Sequence, residues 1–235
     1  MILHNDSSYL IYFGDKKDRC VKSDLKTTSE YLLQLKENLK LKSLIFLNQV
    51  HSNFGFCLKD ENQINSDLSL FENDGDFLIT NLRNVGIGVV TADCLPIVLY
   101  DPIKQVVCVI HAGWRGSVSD IIDNAINEME NNFNVDSKNL IVYMGACAGA
   151  CCYEVASSFK RNLENYNFAH ELFIQKNGIF FNLTELNKRL LLNRGILLKN
   201  IHTQYNICTI CSSNFHSYRG DNKTDYRQPT IVALK

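Results

Sequence analysis

Between residues 76 and 111 the chain places four short runs rich in Val, Ile and Leu, parted by breaks too brief to hold a helix. The runs over 76–80, 85–91, 95–100 and 105–111 read as strands, with turns at Asn81-Leu82-Arg83-Asn84 and Asp101-Pro102-Ile103-Lys104. Asp-Pro suits the start of such a turn because proline presets the backbone angle. Further strands are expected over 8–13, 44–50, 140–144, 179–183, 200–205 and 230–234. Four helices are expected around them. The first is capped by Thr28 or Ser29 and carries Tyr31, Leu32, Leu35 and Leu39 at helical spacing. The second follows Gly116, with Val118, Ile121, Ile122, Ala125, Ile126 and Met129 on one face. A third spans 153–163, and a fourth runs from a Thr184 cap through Leu192, stopping before Gly195. The polar stretch 59–75 reads as a loop. No repeat or linker interrupts the pattern, so one domain over 1–235 is expected.

The formal net charge is −1, which leaves no global field to draw in nucleic acid or an anionic membrane. No stretch reaches the roughly 20 apolar residues of a membrane helix, and the start of the chain does not read as a signal peptide. A cytoplasmic setting is expected. The nine cysteines are odd in number and do not form an evenly spaced framework. Most are therefore expected to be reduced and buried as small hydrophobes, Cys108 being the plainest case. Cys208-Thr-Ile-Cys211 is a lone Cys-x-x-Cys, to be read as a half site, a redox pair or incidental core. Cys147, Cys151 and Cys152 fit close packing better than ligation.

Three segments carry chemistry: Asn48-Gln49-Val50-His51, Thr91-Ala92-Asp93-Cys94 and His111-Ala112-Gly113-Trp114-Arg115-Gly116. Each ends a strand or opens a turn. Together they offer two imidazoles and a thiol, the number of protein ligands in a zinc site that keeps a fourth position open. The same residues also permit Cys94 as a nucleophile with His111 as its base. Asp93 orients a ligand or caps a turn. The glycines after His111 permit close backbone approach, and Arg115 offers a bidentate phosphate contact. The tail over 217–228 reads either as a solvated loop or as a wall supplying Arg219 or Arg227 to an anionic substrate.

Taken in order, these pieces resemble the YfiH/YlmD family, whose members have been called laccase-domain or multicopper polyphenol oxidase proteins and, later, purine nucleoside phosphorylases. The matching pieces are the three segments above with Leu95-Pro96, Asp74-Gly75-Asp76, 145–155, 181–190 and 208–228. The resemblance implies an α+β fold of mixed sheets flanked by helices in α/β/β/α layers. It implies zinc rather than copper on His51, Cys94 and His111. It also implies phosphorolysis of adenosine, inosine, guanosine and 5′-methylthioadenosine, with hydrolytic deamination of adenosine. Purine nucleosides and phosphate are then the small-molecule partners. Asn48, Gln49, Arg219 and Arg227 are the candidate substrate contacts, Cys94, His111, Arg115 and Asp93 the candidate catalytic groups, and Glu154 a further acid–base candidate. The chain departs from the family pattern in two places. Two prolines are missing from Gly145-Ala-Cys-Ala-Gly-Ala-Cys-Cys, and Gly220 and Asp225-Tyr226 stand where the family has a basic residue and a single glycine. The departures bear on substrate preference and phosphate affinity. The competing readings are a cysteine hydrolase, a copper-dependent phenol oxidase, a closed non-catalytic zinc module and a metal-free protein.

Overall fold

The computed structural model describes residues 2–235, and it divides the strand-dense middle of the chain between two sheets. Leu95–Asp101 and Val106–Ala112 form an antiparallel pair inside a six-stranded sheet. Ile141–Met144 and Ile201–His202 extend it on one side, Phe77–Thr80 and Gly55–Leu58 on the other. Val85–Thr91 belongs instead to a seven-stranded sheet, between Tyr226–Leu234 and Ser43–Asn48. The chain thus crosses from one sheet to the other through Ala92-Asp93-Cys94.

Strand alternation explains why the sheets stack. Successive side chains point to opposite faces, and each strand here is apolar on both. Val107 and Val109 join Val98, Tyr100, Ile87, Val89, Ile11 and Val232 in the layer between the sheets. Cys108 and Ile110 face the other way, against the helix Ile121–Phe133. On the outer face of the seven-stranded sheet, Leu44, Phe46, Ile231 and Ala233 meet Leu32 and Leu35 of helix α1 (Leu25–Asn38). The layers are therefore helix, sheet, sheet, helix, as the resemblance implied.

Helix α2 is one short turn, Trp114–Val118, and α3 follows at Ile121–Phe133. The expected single helix is broken because Asp120 takes a left-handed backbone, φ 66°. Ile121, Ile122, Ala125, Ile126 and Met129 are fully buried. Each of the large ones contributes about 1.5–3 kcal/mol by leaving water. Helix α4, Leu183–Asn193, packs on the same side.

Several expectations need correction. Asp24, not Thr28 or Ser29, caps α1 through Thr27 N–H, because the Thr28 hydroxyl is engaged with the Val21 backbone. Asn182, not Thr184, caps α4, and the Thr184 hydroxyl is turned to Asn206. The 59–75 loop contains the strand Leu68–Asp74, polar because it is a half-exposed edge, parallel to Ser43–Asn48. The helix over 153–163 is replaced by the short strand Glu154–Val155 and a 3-10 segment, Ser157–Leu163. There Tyr153 and Phe159 pack on Phe181 in an aromatic cluster rather than along a helical stripe.

Candidate active site

The three donors meet at the seam between the sheets. His51 lies just past Ser43–Asn48, Cys94 sits in the crossover, and His111 is the penultimate residue of Val106–Ala112. Their ligand atoms all lie within 4.8 Å of one another. Cys94 Sγ is 3.7 Å from His51 Nε2, and the imidazoles meet edge to face at 4.8 Å between centroids. Two of the turns are held in left-handed backbone, His51 at φ 61° and Asp93 at φ 85°. Such a conformation costs about 1–3 kcal/mol for a non-glycine residue and persists only where the surroundings enforce it.

Asp76 enforces it at His51. Its buried carboxylate accepts the backbone N–H groups of Val50, His51 and Ser52 at 3.3, 3.1 and 2.6 Å. It also accepts the Ser52 hydroxyl at 2.6 Å and His111 Nδ1 at 2.7 Å. Engaging Nδ1 leaves His111 Nε2 for the cluster, the usual way a carboxylate orients a ligating imidazole. Burial opposes ionisation of Asp76, but the hydrogen bond and charge of His111 together with the Ser52 hydroxyl and N–H outweigh it and hold the carboxyl below its ordinary value. Burial raises the Cys94 thiol, yet His111 and His51 draw it down to about 6. Burial lowers His111, yet the Cys94 charge and the Asp76 hydrogen bond lift it to about 9. The donor set is thus thiolate and imidazole held by a buried carboxylate, which suits a soft or borderline metal ion.

Gly113 matters through crowding, not backbone freedom. A β-carbon there would lie 3.0 Å from both Cys94 Sγ and the His51 ring.

Above the cluster opens a cavity of about 520 Å³. All of the sequence-derived site residues except Glu154 line it, but they are not equally free. Gln49 pairs both ends of its amide with the Val90 backbone, at 2.8 and 2.7 Å. Asn48 donates to Asp74 at 2.7 Å. Asp93 accepts Thr209 and Ser217 hydroxyls at 2.6 and 2.7 Å and the Arg219 N–H at 2.7 Å, so its carboxylate is committed to holding the tail. Arg115 lies over the Trp114 ring and Arg219 over the Tyr153 ring, at 4.5 and 4.4 Å. Arg227 donates to the backbone oxygens of Thr224 and Tyr226. Glu154 is exposed and lies outside the cavity wall; only its carbonyl takes part, accepting from Arg219 at 2.8 Å.

Site reasoning from sequence missed Asp76, Lys22, Phe71 and Tyr153. For Asp76 a signal was present, an Asp-Gly-Asp opening a strand. Lys22 carried none, because its place is set by the opposite end of the chain, its N–H donating to Asp225 O at 3.1 Å.

A four-layer α+β domain with a His-Cys-His cluster under a cation-rimmed cavity defines the class. Residues 17–235 match the family described as multi-copper polyphenol oxidoreductase laccase, and the chain belongs to that family. It is 28% identical to a purine nucleoside phosphorylase of Clostridium acetobutylicum over 98% of this chain and 94% of the relative. It is 38% identical to a purine nucleoside phosphorylase of Aquifex aeolicus over 68% and 71%. The fold matches that of the Bacillus licheniformis hypothetical protein YfiH with a TM-score of 0.82 at 22% identity, covering 97% and 93% of the two chains. It matches YlmD of Geobacillus stearothermophilus with a TM-score of 0.77 at 21% identity, covering 100% and 99%. The resemblance to the YfiH/YlmD proteins therefore holds in sequence and in fold.

Proposed function

We propose that the chain is a zinc-dependent purine nucleoside phosphorylase acting as one domain over 1–235. Its substrates are adenosine, inosine, guanosine and 5′-methylthioadenosine, with a second, hydrolytic deaminase activity on adenosine. The observation that carries the reading is the convergence of His51, Cys94 and His111 under a cavity rimmed by Lys22, Arg115, Arg219 and Arg227. The names of the relatives support the phosphorolytic reaction. Two imidazoles and one thiolate leave a tetrahedral zinc ion one open position. A mononuclear copper site of the same donors adds a weak axial ligand, such as methionine, glutamine or a backbone oxygen. Met129 and Met144 are fully buried in the core, and both ends of the Gln49 amide are engaged with the Val90 backbone.

In phosphorolysis an oxygen of phosphate bonds to the anomeric carbon of ribose as the glycosidic C–N bond breaks. The electron pair leaves with the purine, which takes up a proton, giving ribose 1-phosphate and free base. The chain's part is to hold both reactants in one cavity, which converts an encounter of two solutes into a reaction within a complex. Arg115, Arg219 and Arg227 hold the phosphate and offset its charge as it approaches the sugar. The aromatic faces of Tyr153, Tyr218 and Phe71 offer flat apolar surface to the base. Asp93 is a positioning residue, fixing the tail that carries Arg219, and Asp76 fixes the imidazole of His111. A zinc ion bound to His51, Cys94 and His111 would supply Lewis acidity at the cavity floor. The reducing cytoplasm, where the Cys94 thiolate stays reduced, is the expected setting.

Chromatography of inosine and adenosine incubations, with and without phosphate, tests the reading on zinc-quantified protein. Phosphate-dependent release of base in proportion to zinc is expected, and no base release under either condition refutes it. A second reading is favoured by one arrangement: His111 bridges the Asp76 carboxylate and a Cys94 thiol drawn down to about 6, the layout of a cysteine hydrolase. A covalent substrate adduct on Cys94, absent in Cys94→Ser, would establish it.

A further inference from the structure

A second group of sulfurs stands apart from the cavity. Cys151 and Cys152 lie in a turn after Ile141–Met144, and Cys208 and Cys211 lie far along the chain. Their four Sγ atoms all fall within 4.8 Å of one another. We propose that these four cysteines bind one structural zinc ion as a tetrahedral four-thiolate site, separate from His51, Cys94 and His111.

The geometry fits. With zinc–sulfur bonds of about 2.3 Å, a regular tetrahedron has sulfur–sulfur edges of about 3.8 Å. Cys151 Sγ and Cys211 Sγ stand 3.9 Å apart. All four donors are soft, and a four-sulfur tetrahedral set selects zinc or iron over harder cations. The backbone is shaped around the sulfurs. Gly149 N–H donates to Cys208 Sγ at 3.3 Å, and a β-carbon on Gly149 would lie 2.9 Å from Cys208 Cβ and 3.3 Å from the sulfurs of Cys151 and Cys208. Only a residue without a side chain lets the loop close over them. Binding of a zinc ion would displace the thiol protons to solvent.

The two segments are already laced together. Cys147 N–H donates to Ile207 O at 3.1 Å, and Thr209 N–H to Cys147 O at 2.9 Å. Both also reach the crossover segment, Ala148 N–H donating to Asp93 O at 2.9 Å and the Thr209 hydroxyl to the Asp93 carboxylate at 2.6 Å. A zinc ion on the four sulfurs would lock this lacing beside Cys94. The proposal does not rest on the nucleoside reading.

Cobalt(II) titration of reduced, metal-free, full-length His51→Ala/Cys94→Ser protein is the test, since that variant dismantles the first cluster. One equivalent should bind, with the intense thiolate charge-transfer and visible bands of a four-sulfur tetrahedral site. Cys208→Ser/Cys211→Ser should abolish those bands. X-ray absorption on wild-type protein guards against misfolding of either variant. It should show about two to three sulfurs per zinc on average, where the His-Cys-His centre alone contributes one. No cobalt in the first variant, a single sulfur per zinc in the wild type, iron in place of zinc, or a metal-free pair of disulfides detected as a loss of hydrogens in intact mass would each overturn the proposal.

Discussion

Replacing Asp76 by asparagine should cost about 3–5 kcal/mol, because of the number of buried donors it holds. The carboxylate serves two sets of donors. Oδ1 takes His51 N–H and His111 Nδ1, while Oδ2 takes the N–H groups of Val50 and Ser52 and the Ser52 hydroxyl. Asparagine keeps one oxygen and turns an NH₂ toward the other set. Whichever way it lies, at least two donors lose their acceptor in a buried place. Hydrogen bonds to a charged group contribute about 1.5–3 kcal/mol each, so Asp76→Asn should lose about 3–5 kcal/mol of stability in metal-free protein. The left-handed turn at His51 loses its restraint at the same time, and zinc affinity should fall about 10–100-fold as His111 loses its orienting partner. Urea unfolding of metal-free protein and zinc competition against a chelator measure the two effects. A loss below about 1 kcal/mol together with unchanged zinc affinity would refute the reasoning.

Gly113→Ala should lower zinc affinity and reduce turnover, because a β-carbon at 3.0 Å from Cys94 and His51 makes both donors give way by a few tenths of an ångström; wild-type activity in steady-state assays would show that the crowding relaxes freely. His111→Ala should remove the cavity metal and all activity together, read by metal analysis beside the phosphorolysis assay, and retained zinc with full activity would sink the ligand assignment. Arg115→Ala and Arg227→Ala should raise the KM for phosphate more than that for nucleoside, and equal effects on both would remove these arginines from the phosphate site. Burial and Lys16 hold His216 below its ordinary value, against the opposite pull of Asp221 and Asp18. Below about pH 6.5 the unfolded chain therefore binds more protons than the folded one, and stability falls as pH drops through that value. Urea melts across that range should show His216→Phe flattening the decline; an unchanged slope would show another group responsible.

Much of the candidate site was legible because its donors sit in short motifs. His51, Cys94 and His111 end or join strands that local pattern reveals, and Arg115 travels with His111 in one segment. What local pattern did not reveal is the state of each side chain. Gln49 and Asn48 look like free amides in sequence, yet their partners, Val90 and Asp74, come from neighbouring strands. Asp93 looks like an acid–base group, yet Thr209, Ser217 and Arg219 reach it from the far end of the chain. Cys208 and Cys211 looked like an isolated pair, because nothing within the motif points to Cys151 and Cys152. The strand Leu68–Asp74 escaped notice for a related reason: an edge strand keeps half its surface in water and needs no apolar run.

The sequence by itself determined the buried strands, the helices over Leu25–Asn38, Ile121–Phe133 and Leu183–Asn193, and the three motifs that bring imidazole, thiol and guanidinium groups to strand ends. These depend on the pleat and the helical turn, which repeat every few residues along the chain. Only the tertiary structure decided that Val85–Thr91 and Leu95–Asp101 belong to different sheets, which places Cys94 in the seam where His51 and His111 meet. It also decided that Asp76 closes over both histidines and that four distant cysteines converge. Strands apolar on both faces carry no local mark of which face meets which. That choice is made by burial summed over the whole domain, and the site inherits its geometry from it.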